Sequence, residues 1–136
     1  MPVGQFTPSV KERILVVDDD QQVVDFIIHA LQADDDDKEH RRELETAADG
    51  FEAGLKVVSF KPHLVVLDLM MPGLDGFKLC EQVKSNSETK HIKILIVTGF
   101  GSKENAEQAL GLGADGYLLK PLNADELQER VRDLLG

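Results

Sequence analysis

Short continuous apolar runs punctuate the chain, and the residues that stop them are polar in a particular way. Ile14-Leu15-Val16-Val17 runs into Asp18-Asp19-Asp20, Leu64-Val65-Val66-Leu67 into Asp68, Ile94-Leu95-Ile96-Val97 into Thr98, and Tyr117-Leu118-Leu119 into Lys120-Pro121. A run without polar alternation is what a strand buried on both faces looks like, as in a parallel sheet covered by helices. The pattern predicts a first strand at about Arg13 to Val17, a third at His63 to Leu67, a fourth at Ile92 to Val97 and a fifth at Gly116 to Leu119. A second strand, Leu44 to Ala47, is the least apolar, which suits a sheet edge.

Between the strands the apolar spacing becomes helical. Val23, Val24, Phe26, Ile27, Ala30 and Leu31 predict a first helix, with Asp20 as its N-cap. Gly50 to Ser59 reads as a second helix with Phe51, Leu55 and Val58 facing inward, ended by Lys61-Pro62. Met71-Pro72-Gly73 reads as a turn, and Asp75 to about Lys84 as a third helix carrying Phe77, Leu79, Cys80 and Val83. Lys103 to Leu110 is a short fourth helix with its alanines and leucine facing in, closed by Gly111 and Gly113. Asn123 to Leu135 is the fifth, with Asn123 and Glu126 in a capping-box spacing. Strand and helix alternate five times, which predicts an α/β fold: a doubly wound five-stranded parallel sheet with five helices on both faces and right-handed crossovers.

Two segments stand apart from this rhythm. Residues 1–11, with Gly4 and Pro8, read as an N-terminal arm before a domain over 12–136. Ala33 to Arg42, ADDDDKEHRR, is too polar for a core and long for a connection. It reads as a solvated, partly helical extension or flexible loop.

Composition narrows the function classes. The 136 residues fit one domain with a real core. Net charge is 15 − 25 = −10, which argues against non-specific nucleic-acid binding and against docking on anionic membranes. No apolar run approaches the ~18 residues of a membrane span, and Met1 to Gln5 has neither a basic cluster nor an apolar run behind it. The single cysteine, Cys80, cannot form an internal disulfide and reads as a buried or half-buried structural thiol, which fits a reducing, cytoplasmic setting.

In an open parallel sheet the carboxyl ends of the strands line the active crevice. The residues that stop the runs should therefore meet there: carboxylates, one hydroxyl and one ammonium. Such a set suits a divalent cation and a phosphoryl group. Asp18 and Asp19 are the natural holders of Mg²⁺, which prefers one or two carboxylates plus phosphate oxygens and water. Asp68 is the natural nucleophile and a further metal ligand, since a carboxylate attacking phosphorus gives an acyl phosphate. Thr98 can hydrogen-bond a phosphoryl oxygen, and Lys120 supplies a charge that can pair first with Asp68 and then with the phosphate. Taken singly these residues have blander explanations: an Asp run is usually a solvated turn or a cap, and a Thr or Lys at a strand end says little. Their joint order along the chain carries the reading.

The stretches ILVVDDD (14–20), LVVLDLMMPGLDG (64–76), ILIVTG (94–99) and GADGYLLKP (113–121) resemble the receiver domain of two-component response regulators, from about residue 12 to the last residue. The resemblance implies a flavodoxin-like receiver fold with strand order 2-1-3-4-5. It also implies that Asp68 is the phosphoacceptor and that Asp18 and Asp19 are the acidic pair, with Asp19 the direct metal ligand. The backbone carbonyl of Met70 would complete the protein's share of the Mg²⁺ shell, with Mn²⁺ a substitute. Thr98 would be the switch hydroxyl, Tyr117 the switch aromatic and Lys120 the phosphate-pairing lysine ahead of a cis bond to Pro121. Asp20 fits a helix cap better than a ligand. Gly99 would leave the phosphoryl site accessible, and Met70 and Phe100 would tune hydrolysis by shielding the attacking water.

The function implied is that of a signalling receiver. A sensor histidine kinase or histidine phosphotransfer protein would phosphorylate Asp68, and the face made by the fourth helix, fifth strand and fifth helix would repack toward a downstream protein or a fused output domain. Such a receiver is not an enzyme beyond self-phosphorylation from small phosphodonors and self-dephosphorylation. It would be a monomer or a phosphorylation-dependent dimer, and its choice of kinase would lie on the first helix and neighbouring loops. Stand-alone receiver and piece of a larger regulator are both open. An alternative is a receiver-like binding module that is never phosphorylated, although such modules typically lose residues that are all kept here. A haloacid-dehalogenase-type phosphohydrolase would want Thr or Val where Gln22 stands, two residues past an Asp-x-Asp pair.

Overall fold

The computed structural model describes residues 10–34, 40–99 and 103–136. Ten elements alternate along it: β1 (Val10–Val17), α1 (Gln21–Ala33), β2 (His40–Ala47), α2 (Gly50–Ser59), β3 (Leu64–Leu67), α3 (Gly76–Ser85), β4 (Lys93–Thr98), α4 (Lys103–Gly111), β5 (Gly116–Leu119) and α5 (Ala124–Leu135). All neighbouring strands pair in parallel, in the order β2-β1-β3-β4-β5. The expected doubly wound sheet is therefore present, with the strand order that the family resemblance implied.

Alternate side chains of each central strand point to opposite faces, as the pleat requires. Leu15, Val17, Val65, Leu67, Ile94 and Ile96 pack with buried residues of α2, α3 and α4. Ile14, Val16, Leu64, Val66, Leu95 and Val97 pack with α1 and α5. Burial on both faces is why these strands read as continuous apolar runs. Four helices open on the side chain of an Asp or Asn that accepts a backbone N–H: Asp20 from Gln22, Asp49 from Glu52, Asp75 from Lys78 and Asn123 from Glu126. The α4 end closes as a Schellman motif, with Ala114 N–H donating to Ala109 and Gly113 N–H to Leu110, while Gly113 takes φ 112°. Cys80 is buried, as expected.

Three expectations need correction. The first concerns α2: Phe51, Leu55 and Val58 point outward, and Ala53 and Val57 face the core. The helix lies so close that a Cβ on Gly50 would sit 2.9 Å from Leu74 Cδ1, so its inner face takes small residues and the larger ones are turned out. The second concerns β2, which begins at His40 rather than Leu44. Its early residues are polar because the strand is an edge, paired only with β1. Arg42 there is tied down by Glu12 and Asp34, each at 3.2 Å, and by the Leu31 carbonyl at 3.1 Å. The polar connection expected over Ala33 to Arg42 thus contributes Ala33 to α1 and His40 to Arg42 to β2; its residues 35–39 lie outside the described residues. The third concerns the arm expected over residues 1–11. Val10 and Lys11 have ladder partners in His40 and Arg41, so β1 extends into it; residues 1–9 lie outside the described residues.

Candidate functional site

The site is built from strand ends. The last rungs of the sheet hold its residues: Asp18 N–H donates to the Ala47 carbonyl (3.2 Å), Asp68 N–H to Val17 (3.0 Å) and Lys120 N–H to Thr98 (2.7 Å). The Asp18, Asp68 and Lys120 side chains therefore start from a backbone pinned to the neighbouring strand.

Asp18, Asp19 and Asp68 each present a carboxylate oxygen, all within 4.8 Å of one another. Asp18 and Asp68 are buried, and Asp19 is exposed. Lys120 Nζ bridges the buried pair, 3.0 Å from Asp18 Oδ2 and 3.1 Å from Asp68 Oδ2. The other oxygens of these two groups accept backbone N–H bonds, Asp18 Oδ1 from Asp20 and Asp68 Oδ1 from Met70, each 2.9 Å. Burial pushes the Asp18 carboxyl above its ordinary range, against the lowering effect of the Asp20 N–H and of Lys120. Burial alone would lower the Lys120 ammonium, but its hydrogen bonds to Asp18 and Asp68 outweigh that and raise it. Three hard oxygen donors so close together suit a small divalent cation better than they suit one another.

Thr98 ends β4 fully buried, and its Oγ1 has no hydrogen-bond partner among the described residues. Chain neighbours aside, a Cβ placed on Gly99 would meet none of the described residues within 4 Å. Tyr117 pairs with Ile96 in register while Leu119 pairs with Thr98. Tyr117 therefore sits one pleat repeat below Thr98 on the same face, partly buried against the core cluster that includes α4. The Met70 side chain is exposed beside the acidic cluster. The Lys120–Pro121 bond is cis, as expected. Phe100 lies outside the described residues. Asp18, Asp19, Asp68 and Lys120 thus converge at one edge, with Thr98 ending the neighbouring strand there, while Tyr117 stands farther down the sheet.

Two features were not read from the sequence. Asp20, Gln22, Val23, Phe26, Pro121 and Leu122 join Lys120 around a hollow of about 250 Å³ between the start of α1 and the β5–α5 connection. Phe26 is part of α1's helical apolar pattern, but the structure leaves it exposed. Asp115 accepts the Ile94 N–H (2.8 Å) and pairs with Lys84 (2.8 Å), fastening the lead-in to β5 against β4 and α3. A single acid in a Gly-rich turn gives no signal that it accepts a backbone N–H and pairs with a lysine at once.

Residues 14–132 match the family described as response regulator receiver domain. The chain is 35 % identical over 123 residues to the DNA-binding dual master transcriptional regulator RpaA of a Synechocystis species, covering 90 % of this chain and 48 % of that one. It is 40 % identical over 123 residues to the response regulator MprA of Mycolicibacterium vanbaalenii, with 90 % and 50 % covered. The chain thus spans about half the length of these curated relatives. Among solved structures, a signal receiver domain from Bermanella marisrubri superposes with TM-score 0.81 at 39 % identity, covering 93 % of this chain and all of that one. The chemotaxis response regulator CheY4 of Vibrio cholerae does so with TM-score 0.79 at 30 % identity, covering 92 % and 99 %. With the family match spanning most of the chain and the fold agreeing strand for strand, this protein belongs to the response regulator receiver family.

Proposed function

We propose that Asp68 accepts a phosphoryl group from a phosphohistidine donor, a sensor histidine kinase or a histidine phosphotransfer protein, and that the acyl phosphate switches the α4–β5–α5 face toward a downstream protein or output domain. The observation that carries this reading is Lys120 Nζ, 3.1 Å from Asp68 Oδ2, beside two further carboxylates. An ammonium that close can hold the acceptor before transfer and the phosphate after it.

In the transfer, an Asp68 oxygen forms the new O–P bond as the donor's N–P bond breaks, and the bonding pair stays on the donor nitrogen. Catalysis is positioning and charge stabilisation, with no general base required. Asp18, Asp19, Asp68 and the Met70 carbonyl would hold Mg²⁺, or Mn²⁺ in its place. The ion would supply the positive charge that lets an anionic phosphoryl group approach a carboxylate. The Thr98 hydroxyl, which has no partner among the described residues, then has a phosphoryl oxygen to donate to. Thr98 moving toward it frees space for Tyr117 to turn inward, which biases an equilibrium between two packings of the α4–β5–α5 face. Gly99 adds no side chain at the approach, and Met70 and Phe100 would shield the acyl phosphate from water.

The hollow between α1 and the β5–α5 connection opens beside Lys120 and suits a histidine-bearing partner. The net charge of −10 weighs against direct contact with nucleic acid or anionic membrane, and no described helix is long and apolar enough to cross a membrane. The protein acts in the cytoplasm as a phosphoacceptor, with self-phosphorylation from small donors and self-dephosphorylation its only chemistry. At the switched face itself it stays single or pairs on phosphorylation. Phosphoramidate, a small P–N donor, tests the reading: with Mg²⁺ it should give a hydroxylamine-labile acyl phosphate, and a chelator should abolish it. A hydroxylamine-stable product, or one indifferent to chelation, would refute the mechanism.

A further inference from the structure

Five large apolar residues of the described chain are exposed, and three share one short helix: Phe51 is 79 % exposed, Leu55 55 % and Val58 68 %. The other two, Phe26 and Met70, lie at the site described above. Positions 51, 55 and 58 fall on one stripe of α2, turned away from both core clusters. Gly54 lies in the same stripe, and a Cβ there would meet nothing within 4 Å, so the stripe has a notch. Concentrated exposed apolar surface on a single element marks an interaction site more than scattered residues do.

We propose that this face of α2 pairs two copies of the chain, antiparallel, about a twofold axis between residues 54 and 55. In that register Phe51 meets the partner's Val58, and Leu55 enters the notch at the partner's Gly54. Each large side chain thereby finds a complement, as an isologous contact demands. Charge selects the direction. Asp49 and Glu52 stand at the start of α2. Beyond its end, the cations Lys61 and Arg13 line a cleft of about 340 Å³ that Val58 shares, with Glu88 the one acid among the lining residues. Antiparallel pairing brings the acidic start of each helix to the basic end of the other, and also opposes the helix dipoles. Parallel pairing would set like against like.

A ten-residue helix is only about 15 Å long, so the contact falls well below the ~800 Å² per partner of a stable interface. The pair is therefore weak and concentration-dependent. It uses none of the phosphoryl site, so Asp68→Ala associates as the parent does, and failure of either proposal leaves the other standing. Sedimentation equilibrium on the whole chain should show the mass climbing from monomer toward dimer with concentration. Phe51→Ser with Leu55→Ser should weaken association about tenfold or more, with an unchanged far-UV spectrum because both side chains are exposed. Under mild oxidation Leu55→Cys should give a disulfide-linked dimer faster than Glu107→Cys, an exposed control on α4, while buried Cys80 stays out of the reaction. A monomer at every concentration, association untouched by the double serine variant, or equal crosslinking at positions 55 and 107 would each overturn the proposal.

Discussion

Thr98 carries a buried hydroxyl with no hydrogen-bond partner among the described residues. Leaving a polar group in that state costs about 1–3 kcal/mol. Thr98→Val should therefore raise the stability of the unphosphorylated protein by about 1 kcal/mol in urea unfolding, while uncoupling phosphorylation from any change around Tyr117. A destabilised valine variant would mean that the hydroxyl is satisfied in the resting state. The residues of this site were legible in sequence because each one interrupts an apolar run, so its chemistry and its place at a strand end are read together. The lost hydrogen bond of Thr98 was not legible, since it depends on what five strands leave around one oxygen. The bridging position of Lys120 between Asp18 and Asp68 likewise joins residues 102 and 52 positions apart, a proximity that no local pattern encodes.

At the scale of elements, α2 and β2 mark where periodicity fell short. Phe51, Leu55 and Val58 do form one helical stripe, but a stripe specifies a face and not its direction. The direction was set by Gly50 and Ala53, whose small size lets the helix lie close to its neighbours. For β2, early polar residues concealed a strand whose partner and charge neutralisation come from elsewhere in the chain. Arg42 gathers Glu12 of β1 and the Asp34 carboxylate at the end of α1, and Asp34 also pairs with Arg132 of α5. Arg42→Ala removes charge-assisted bonds from a nearly buried side chain and should cost about 2 kcal/mol in denaturant unfolding. A loss within experimental error would show that solvent replaces these bonds at the edge. Gly113→Ala combines a φ of 112° with a Cβ 2.8 Å from Lys84 Cγ, and should destabilise by about 1–3 kcal/mol in the same assay.

For the whole molecule, alternation of element types predicted a doubly wound sheet, but strand order followed from the family resemblance, because periodicity does not say which strands are neighbours. Two linkage effects act on the molecule as a unit. Mg²⁺ binding to the native acidic cluster should raise stability by about 1.4 kcal/mol at roughly tenfold over its dissociation constant, and Asp19→Ala should lose most of that shift in thermal unfolding. A shift retained by the variant would place the ion elsewhere. His63 titrates below its ordinary value of 6.5, because burial penalises the imidazolium and Arg13 repels it. The unfolded chain therefore takes up this proton more readily, and the contribution of His63 to stability falls as pH drops below about 6.5, with no loss above it. His63→Gln should flatten that part of the decline below about pH 6.5 in urea midpoints. Parallel curves for the two proteins would contradict the assignment.

The central claim is that Asp68 is the phosphoacceptor, and intact mass tests it most directly. The chain is incubated with acetyl phosphate and Mg²⁺ beside Asp68→Ala treated identically. One added phosphoryl group, about 80 Da, on the parent and none on the variant is the predicted result. An adduct that survives in Asp68→Ala, or a parent chain that takes up no phosphoryl group, would contradict it.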